Sequence, residues 1–408
     1  MNRVVVTGLG CICGSGNNVP EFLQSLIEGR SGIAPLTTLP ARDFAHGIGA
    51  EVKNFDPAAH FDDKRLALLD RNAQFAVVAA REAVVHAFGG TVVPSPDGAV
   101  ILGTAIGGKI SDDIAEERLY RGDGRVHPLT IVRVMASSSA SHVTMDLGIS
   151  GPAFCVTSAC ASANHAVGQA VRLIRDGSVP WAIAGGTDAP FAYFVFKSWE
   201  AMRILASDTC RPFSVGRRGL VLGEGAGVVV LEALNHALAR NASIYAEVLG
   251  VGASSDANHI TQPSVSGAVM AMRRAMQDGG VRPEDVDYIN AHGTGTVIND
   301  VTETRAIRDV FGGHANHLAV SSTKSIHGHA LGAAGGMELV ATVLAMSRQF
   351  VPPTINYVGA DPECDLDYVC NASRSGEIRL ALSNSFAFGG LNSVLLLRRW
   401  PSDISDRV

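Results

Sequence analysis

The chain has 408 residues, of which 47% are hydrophobic and only 18% are charged, with 44 glycines and a formal net charge of −6. This length allows two or three domains with a large core, and the composition excludes a disordered or fibrous protein. The negative balance gives no support for nucleic-acid binding, and the isolated basic doublets are interpreted as solvated faces: Arg217-Arg218, Arg273-Arg274 and Arg398-Arg399.

The cysteines and the N-terminus indicate a reducing location. None of the seven cysteines forms a Cys-x-x-Cys pair. An odd number without paired spacing argues against a disulfide framework and against a zinc knuckle, so we expect a cytoplasmic protein. The chain starts on an apolar strand, not on a signal region. The stretch between Asp146 and Arg172 carries no formal charge, but polar residues interrupt it, and no membrane span is predicted.

The first predicted element is an apolar strand that ends in a glycine turn. Gly8, Gly10 and Gly14 come close to a dinucleotide fingerprint, but the spacing is one residue too long. No acidic residue ends a second strand near position 30, so a nucleotide cofactor is not expected. The next elements are predicted as helices at 20–29 and 64–87 and a strand at 98–103.

The stretch Gly151–Asn164 is predicted to form a strand, a tight turn and the start of a helix that runs to Arg175. Cys160 falls at the turn. There, unpaired backbone N–H groups and the positive end of the helix dipole would lower the thiol pKa and favour the thiolate. Cys160 is therefore a candidate nucleophile, and a buried structural cysteine is the alternative.

Strands and helices continue to alternate towards the C-terminus. This alternation predicts a mainly parallel sheet that is covered on both faces. Because the pattern restarts near residue 241, we predict two related α/β halves, 1–240 and 241–408. The later strands are predicted at 181–186, 228–231, 244–250, 287–291, 318–321, 377–382 and 393–398, and the later helices at 267–279 and 332–348.

Two loops at strand ends carry histidines among glycines. The first, Asn290–Thr296, contains His292, and the second, Ser321–Gly336, contains His327 and His329. Glycines let backbone amides approach a ligand closely, and these histidines could handle protons for a nearby cysteine nucleophile. A metal site is not expected, because the paired histidines of the second loop lack further ligands at suitable spacing.

A fourth glycine-rich stretch, Asn384–Asn392, lies close to the C-terminus. Its glycines could present a backbone N–H to an oxyanion, or it could be an ordinary connection between two strands. Ser321-x-x-Lys324 matches part of the serine-lysine signature of penicillin-recognising enzymes. No Lys-Thr-Gly follows, however, and the serine ends a strand instead of opening a helix, so this activity is set aside.

Together these stretches resemble the β-ketoacyl-acyl carrier protein synthases of the thiolase superfamily, and most of all the type II elongating branch. The resemblance rests on the blocks 157–160, 290–296, 322–329 and 384–392 and covers almost the whole chain. It implies an α/β thiolase fold, in which two αβαβα halves form a five-layered body. It also implies an acyltransferase that condenses an acyl chain with malonyl-acyl carrier protein, usually as a homodimer.

The resemblance assigns catalytic roles to matching residues. Cys160 would carry the acyl chain, and His292 and His329 would hydrogen-bond the thioester carbonyl of the malonyl donor. This suits decarboxylation, which develops negative charge on an oxygen and needs hydrogen-bond donors but no base. Lys324, with Glu338, would organise the charges behind His329.

The resemblance also implies residues for substrate binding. The backbone N–H groups of Cys160 and Phe388 would hold the oxyanion, and Phe388 would gate the site. Thr294 and Thr296 would touch the phosphopantetheine arm of the carrier, which is the only prosthetic group expected. Ile106 would line the acyl pocket.

The acyl carrier protein is acidic, so a local basic patch is expected to bind it. The candidate docking residues are Lys64, Arg65, Arg125 and Arg203. Ala67 and Leu68 stand where basic residues are common, and Ala387 and Leu391 depart from the usual C-terminal block. These departures concern substrate range and carrier identity, and they are compatible with a nodulation-type or polyketide pathway.

The alternative function is a non-catalytic partner subunit, similar to the chain-length factors that pair with a ketosynthase. Such proteins share the fold but lack the nucleophile. The presence of Cys160, His292 and His329 together favours the enzyme.

Overall fold

The computed structural model describes residues 1–122 and 124–400. In this part of the chain, ten strands form one mixed sheet. The strands are β1 (Val4–Cys13), β2 (Ala99–Gly103), β3 (Ala153–Val156), β4 (Trp181–Asp188), β5 (Gly225–Ala233), β6 (Ala246–Ser255), β7 (Tyr288–Asn290), β8 (Ala319–Ser321), β9 (Leu380–Ala387) and β10 (Leu391–Arg399).

Helices connect most of these strands. The longer ones are α1 (Val19–Glu28), α2 (Arg71–Phe88), α3 (Lys109–Arg121), α4 (Ser138–Leu147), α5 (Ser162–Arg175), α6 (Tyr193–Ala201), α7 (Val265–Gly279), α8 (Val297–Phe311) and α9 (Ala334–Arg348). Shorter helices lie at Asp63–Leu66, Thr130–Val134, Leu234–Ala239 and Lys324–His327. Among the described residues, none of the helices combines the length and the apolar character needed to cross a bilayer.

The two halves of the sheet have the same topology. The strand order is β3-β2-β4-β5-β1 in the first half and β8-β7-β9-β10-β6 in the second. In each half, the two pairings nearest the outer edge are parallel and the other two are antiparallel. β1 and β6 join the halves through the residue pairs Val5–Glu247 and Val6–Ala246. The two related halves of the predicted fold are confirmed, and the division at residues 240 and 241 stays a prediction.

The prediction of a mainly parallel sheet is wrong. Of the nine strand pairings in this sheet, four are parallel and five are antiparallel. Parallel neighbours need a crossover of a dozen or more residues, and β9 and β10 are separated only by residues 388–390. Much of the stretch Asn384–Asn392, which we treated as a loop, therefore belongs to two paired strands.

Helices form three layers around the two half-sheets. α5 and α9 share one hydrophobic core with strands of both halves and form the middle layer. α2 and α4 cover the outer face of the first half, and α7 and α8 cover the outer face of the second. The result is the expected five-layered body. Strands covered on both faces explain why β1 is buried along its whole length.

Candidate active site

Cys160, His292 and His329 come from three separate loops and line one cavity of about 410 Å³. One ligand atom from each of these side chains lies within 4.8 Å of the other two, and all three residues are buried. Cys160 precedes α5, His292 follows β7, and His329 follows the short helix Lys324–His327. The structure thus brings together the three residues that the sequence singled out.

A tight turn between β3 and α5 presents Cys160 to the cavity. Ala159 adopts the left-handed φ of 49°, which is unfavourable for a residue with a Cβ and reverses the chain just before the cysteine. Ser162 stabilises this turn: its Oγ accepts from the N–H of Ser158 at 2.9 Å and donates to the carbonyl of Ala159 at 2.6 Å. The predicted strand, turn and helix are confirmed, with the helix beginning at Ser162.

The thiol of Cys160 does not have the lowered pKa that the sequence predicted. Complete burial raises its pKa to about 11, and this outweighs the opposing effects of the Lys324 ammonium and of the backbone N–H groups of Phe388 and Cys160. The prediction rested on the backbone N–H groups and the helix dipole at the turn, whereas distant segments of the chain bury the sulfur. The thiol is therefore neutral at rest and must lose its proton as it reacts.

His329 is placed to accept that proton. Its Nε2 lies 3.1 Å from Sγ of Cys160. Burial lowers the pKa of His329 well below its ordinary value, so the ring is neutral and one nitrogen is free to accept. The backbone fixes the residue, because its N–H donates to the carbonyl of Val221 at 2.7 Å and its carbonyl accepts from the N–H of Gly223 at 3.0 Å.

His292 faces His329, with ring centroids 5.5 Å apart and ring planes at 85°. Nζ of Lys324 lies 3.3 Å from Nδ1 of His292, so Nδ1 accepts and we assign the ring proton to Nε2. Burial and the Lys324 charge lower the pKa of His292 well below its usual value, which makes the ring a neutral donor.

Glu303 on α8 holds the His292 loop in place, and sequence reasoning missed it. Its carboxylate accepts from the backbone N–H groups of His292 and Gly293 at 2.8 Å each, and from Nδ2 of Asn384 at 3.1 Å. The apolar residues in 297–311 recur at helical spacing. This signal could have shown that Glu303 lies on a buried helix, together with Val301.

Lys324 and Glu338 form a fully buried ion pair. The resemblance placed this pair behind His329, whereas the structure places the Lys324 nitrogen directly against His292. Burial raises the pKa of the Glu338 carboxyl to about 7, although the Lys324 charge opposes the shift. Each of the two buried charges needs the opposite charge of its partner to compensate for the loss of solvation.

We expect Lys324→Met to lower the free energy of unfolding by about 3 kcal/mol at pH 8, because it leaves a buried carboxylate without a partner. A carboxyl whose folded pKa exceeds its unfolded value destabilises the folded state more as pH rises, so the loss should shrink between pH 8 and pH 5. The double variant Lys324→Met, Glu338→Gln should recover stability. Urea unfolding at both pH values checks this, and a Lys324→Met protein as stable as the wild type would contradict it.

Phe388 opens the connection between β9 and β10 and lines the cavity beside Cys160. Its backbone N–H acts on the Cys160 thiol and lowers its pKa, as expected of an oxyanion-hole donor. Gly390 has a φ of 68°, and a Cβ there would lie 2.5 Å from Cβ of Asp256, so this turn requires glycine. Trp199, which sequence reasoning missed, stacks on Phe388 with ring centroids 6.0 Å apart.

Thr294 and Thr296 also line the cavity, with their hydroxyl oxygens 2.8 Å apart. Arg203 lines it as well and is exposed. Arg218, which we had assigned to a solvated doublet, contributes a second exposed guanidinium to the same lining. Its neighbour Arg217 is buried and bonded to a carboxylate 144 residues away, so the solvated-face interpretation is wrong for Arg217.

The other predicted binding residues lie outside this cavity. Ile106 packs in a separate hydrophobic cluster that includes Phe196 and Leu331. Lys64 is exposed, whereas Arg65 forms an ion pair with Asp146.

Arg125 belongs to a second, much smaller cavity of about 30 Å³. This cavity also contains His127 and two further arginines, Arg118 and Arg133. Of the four predicted docking residues, the structure places only Arg203 in the lining of the cavity that contains Cys160.

The cluster of Cys160, His292 and His329 is also a possible metal-ligand set, since zinc accepts one thiolate and two imidazoles. We expected no metal because the paired histidines 327 and 329 lack further ligands at suitable spacing, but the fold brings Cys160 to His329. His327 itself bonds Thr323. The Lys324 ammonium beside His292 repels a second cation, so the arrangement favours proton handling.

The sequence matches known proteins over both halves of the chain. The family model described as the β-ketoacyl synthase N-terminal domain matches residues 1–237, and the model for the C-terminal domain matches residues 245–358. Nodulation protein E of Rhizobium sp. (strain N33) is 48% identical over 402 residues, which cover 97% of this chain and 99% of that protein. The 3-oxoacyl-[acyl-carrier-protein] synthase 2 of Synechocystis sp. is 45% identical over 408 residues, with 98% of each chain covered.

A solved structure with the same fold contains a carrier protein. It is a type II polyketide synthase acyl carrier protein in complex with its ketosynthase bound to the hexaketide. The matching chain is 32% identical, with a TM-score of 0.89, and the match covers 98% of this chain and 100% of that one. With its two thiolase-type halves and its cysteine and two histidines in one cavity, this chain belongs to the β-ketoacyl synthase family.

Proposed function

We propose that the protein is a 3-oxoacyl-[acyl-carrier-protein] synthase, an acyltransferase that extends an acyl chain held on Cys160 by two carbons from malonyl-acyl carrier protein. The observation that carries this proposal is the convergence of Cys160, His292 and His329 in one cavity. A thiol nucleophile with two neutral imidazoles suits a reaction that forms a thioester and then stabilises an enolate.

In the first step, Cys160 takes the acyl chain from its carrier. The thiol gives its proton to Nε2 of His329, 3.1 Å away, and the sulfur attacks the thioester carbonyl. The backbone N–H groups of Cys160 and Phe388 stabilise the resulting oxyanion. The carbon–sulfur bond to the carrier then breaks, and the departing carrier thiolate takes the proton from His329.

In the second step, the malonyl thioester loses carbon dioxide. The electron pair of the breaking carbon–carbon bond moves into an enolate, whose oxygen accepts a hydrogen bond from the Nε2–H group of His292. His329 donates a second one from Nε2 after its ring proton has moved there from Nδ1. The enolate carbon attacks the acyl carbonyl on Cys160, and the Cys160 thiolate leaves. No carbon-bound proton has to be removed, so the site needs donors and no strong base.

The partner of the enzyme is an acyl carrier protein, whose phosphopantetheine arm is the only prosthetic group in the proposal. Thr294 and Thr296 would bind this arm along the cavity wall, and Arg203 would meet the acidic carrier at the mouth. Two observations support this: all three residues line the cavity, and a related ketosynthase has been seen in complex with its carrier.

Arg203→Glu should raise the KM for the acyl carrier protein by about tenfold at low salt, because it reverses a charge that faces an acidic partner. The difference should shrink at 0.5 M salt, where exposed charges are screened. Arg42→Glu, an exposed arginine outside the cavity lining, is the matched control. An unchanged KM for Arg203→Glu at low salt would remove this residue from the docking site.

We also propose a homodimer in which β3 pairs with its symmetry mate. β3 is the edge strand of the first half-sheet, and Phe154 on it is 40% exposed. Ile131 and Phe194 add exposed apolar surface, at 69% and 66%. An uncovered apolar edge strand is a template for pairing with a second chain.

Phe154→Asp should therefore convert the dimer to a monomer, since it places a charge on the apolar pairing edge. Light scattering after size exclusion measures the mass, and Val92→Asp at another exposed apolar position is the control. A Phe154→Asp variant that stays dimeric would exclude this edge as the interface.

The direct test of function is a reconstituted condensation. The protein is mixed with acyl and malonyl carrier proteins, and mass spectrometry follows the carrier-bound product. We expect a 3-oxoacyl chain two carbons longer than the starting chain. If the carriers stay unchanged and product forms only when a second ketosynthase subunit is added, the non-catalytic partner is the correct interpretation. The free state of all seven cysteines supports a cytoplasmic location for this reaction.

A further inference from the structure

Asp188 is a fully buried carboxylate at the end of β4, and the proposed mechanism does not use it. Four donors point at it. Thr104 Oγ1 donates to Oδ1 at 2.7 Å and the N–H of Ile106 does so at 3.3 Å. The N–H groups of Ala105 and Gly332 donate to Oδ2 at 2.8 and 2.7 Å. Such a carboxylate is well satisfied, and it fixes every group that donates to it.

These donors belong to two separate loops. The loop 104–107 follows β2 and contains Ile106, whereas Gly332 lies three residues after His329 in the histidine loop. The two loops touch each other, because a Cβ on Gly332 would lie 2.5 Å from the nitrogen of Ala105. Asp188 is the single side chain that hydrogen-bonds both loops within the part of the chain that the structure describes.

The histidine loop needs this support. Leu331, between His329 and Gly332, is buried and adopts a left-handed φ of 48°. A residue with a Cβ rarely adopts this conformation, which persists only where the surroundings enforce it. The bond from the N–H of Gly332 to Asp188 is one of the contacts that hold this strained turn.

The loop 104–107 also touches the element that presents the nucleophile. A Cβ on Gly103 would lie 2.3 Å from the backbone nitrogen of Ala163, in the first turn of α5. Oγ of Ser162 lies 3.4 Å from the carbonyl oxygen of Thr104. The position of the loop is therefore linked to the turn that presents Cys160.

We infer that Asp188 is a positioning residue for acyl transfer: it sets the loop 104–107 and the turn after His329 against Cys160, so that nucleophile and proton acceptor meet. The acyl-transfer part of this inference rests on the proposed function. The negative charge of Asp188 also raises the pKa of the Cys160 thiol, which gives a readout that needs no acyl substrate.

Asp188→Asn tests this with little change of shape. The amide oxygen can keep the two backbone donors at the Oδ2 position. The NH₂ group then faces the Thr104 hydroxyl, which can turn to accept, and the N–H of Ile106, which cannot. The variant should therefore release the loop 104–107 while the Gly332 contact survives.

We expect Asp188→Asn to slow acyl loading of Cys160 by about 10- to 100-fold, because small misplacements of reacting groups are that costly. Malonyl decarboxylation, which depends on His292 and His329, should change by less than about threefold. The pH profile of Cys160 alkylation by iodoacetamide should move to lower pH, since a neighbouring negative charge is removed. Loading is followed by intact-protein mass spectrometry.

Two further variants separate positioning from folding. Asp70→Asn removes another buried carboxylate, the cap of α2, and should leave loading and the alkylation profile unchanged. Thr104→Val removes one of the hydrogen-bond donors to Asp188 and should also slow acyl loading, by a smaller factor than Asp188→Asn. If the Asp188→Asn protein does not fold, Thr104→Val is tested in its place.

The outcomes for the inference and for the proposed function are distinct. If Asp188→Asn loads acyl chains at the wild-type rate and its alkylation profile is unshifted, the inference is overturned and the ketosynthase proposal stays intact. If the wild type itself accepts no acyl chain, the proposed function fails. In that case only the pH profile of Cys160 alkylation tests the role of Asp188. An unshifted profile in Asp188→Asn overturns the link between this carboxylate and Cys160.

Discussion

Cys160→Ser is expected to lower the rate of condensation by about 10⁴-fold or more, because removing the nucleophile of a covalent mechanism has effects of that size or larger. A hydroxyl in the same buried place is harder to deprotonate than a thiol, whose pKa of about 11 is already unfavourable. The product is measured on the carrier by mass spectrometry. The side chains are nearly isosteric, so the unfolding temperature should change little.

Cys155→Ser is the matched control for this experiment. Cys155 lies on β3, five residues before the nucleophile, and burial raises the pKa of its thiol as well. It does not line the cavity of Cys160, so condensation should stay within about twofold of the wild type. A Cys160→Ser protein that keeps a tenth of the wild-type rate would show that the acyl chain is not carried on this sulfur.

His292→Ala is expected to slow decarboxylation of malonyl-acyl carrier protein by about 10²- to 10³-fold, the usual cost of losing one donor to a developing oxyanion. Acylation of Cys160 should change by only a few-fold, since the structure places His329, and not His292, against the sulfur. His329→Ala should slow both steps. Release of carbon dioxide and intact-protein mass measure the two steps separately.

His259→Ala is the control, because His259 is exposed on the lining of the same cavity. Both rates should stay close to those of the wild type. Equal losses of acylation in His292→Ala and His329→Ala would contradict the division of roles that the distances indicate. Wild-type decarboxylation in His292→Ala would remove this residue from the mechanism.

The local sequence was enough to find the three central residues. Cys160 lies where an apolar strand meets a small-residue helix, and His292 and His329 lie in glycine-rich loops after strands. Side chains in loops at strand ends come close together when the strands belong to one folded unit. The three separate stretches of sequence therefore predicted one site. The repeated rhythm of elements likewise predicted the two halves, because each half has to bury its own sheet.

What the sequence could not reveal depends on contacts between distant segments. The pKa of Cys160 follows from burial by both halves of the chain, which no local dipole argument includes. Glu303 and Asp188 act through backbone N–H groups of other loops, and these partners have no sequence signature. Arg217 appeared as half of a basic doublet, and only the fold brings Asp361 to it.

One helix that we did not predict has a largely polar surface. α3, Lys109–Arg121, carries many charged residues and buries only Ser111, so it lacks the apolar stripe that predicts a helix. The helix predicted at 64–87 is interrupted, because the side chain of Asp70 accepts from the N–H of Asn72 and caps a new helix there. A polar residue inside a periodic pattern was the signal that we overlooked.

The most direct test of the central claim is the mass of the intact protein during turnover. The purified protein is incubated with an acyl carrier thioester, digested to locate the adduct, and then mixed with malonyl carrier protein. We predict an increase by the mass of the acyl chain, located on Cys160, and its disappearance when the malonyl donor is added. An adduct on another residue, or one on Cys160 that the malonyl donor cannot discharge, would contradict the account.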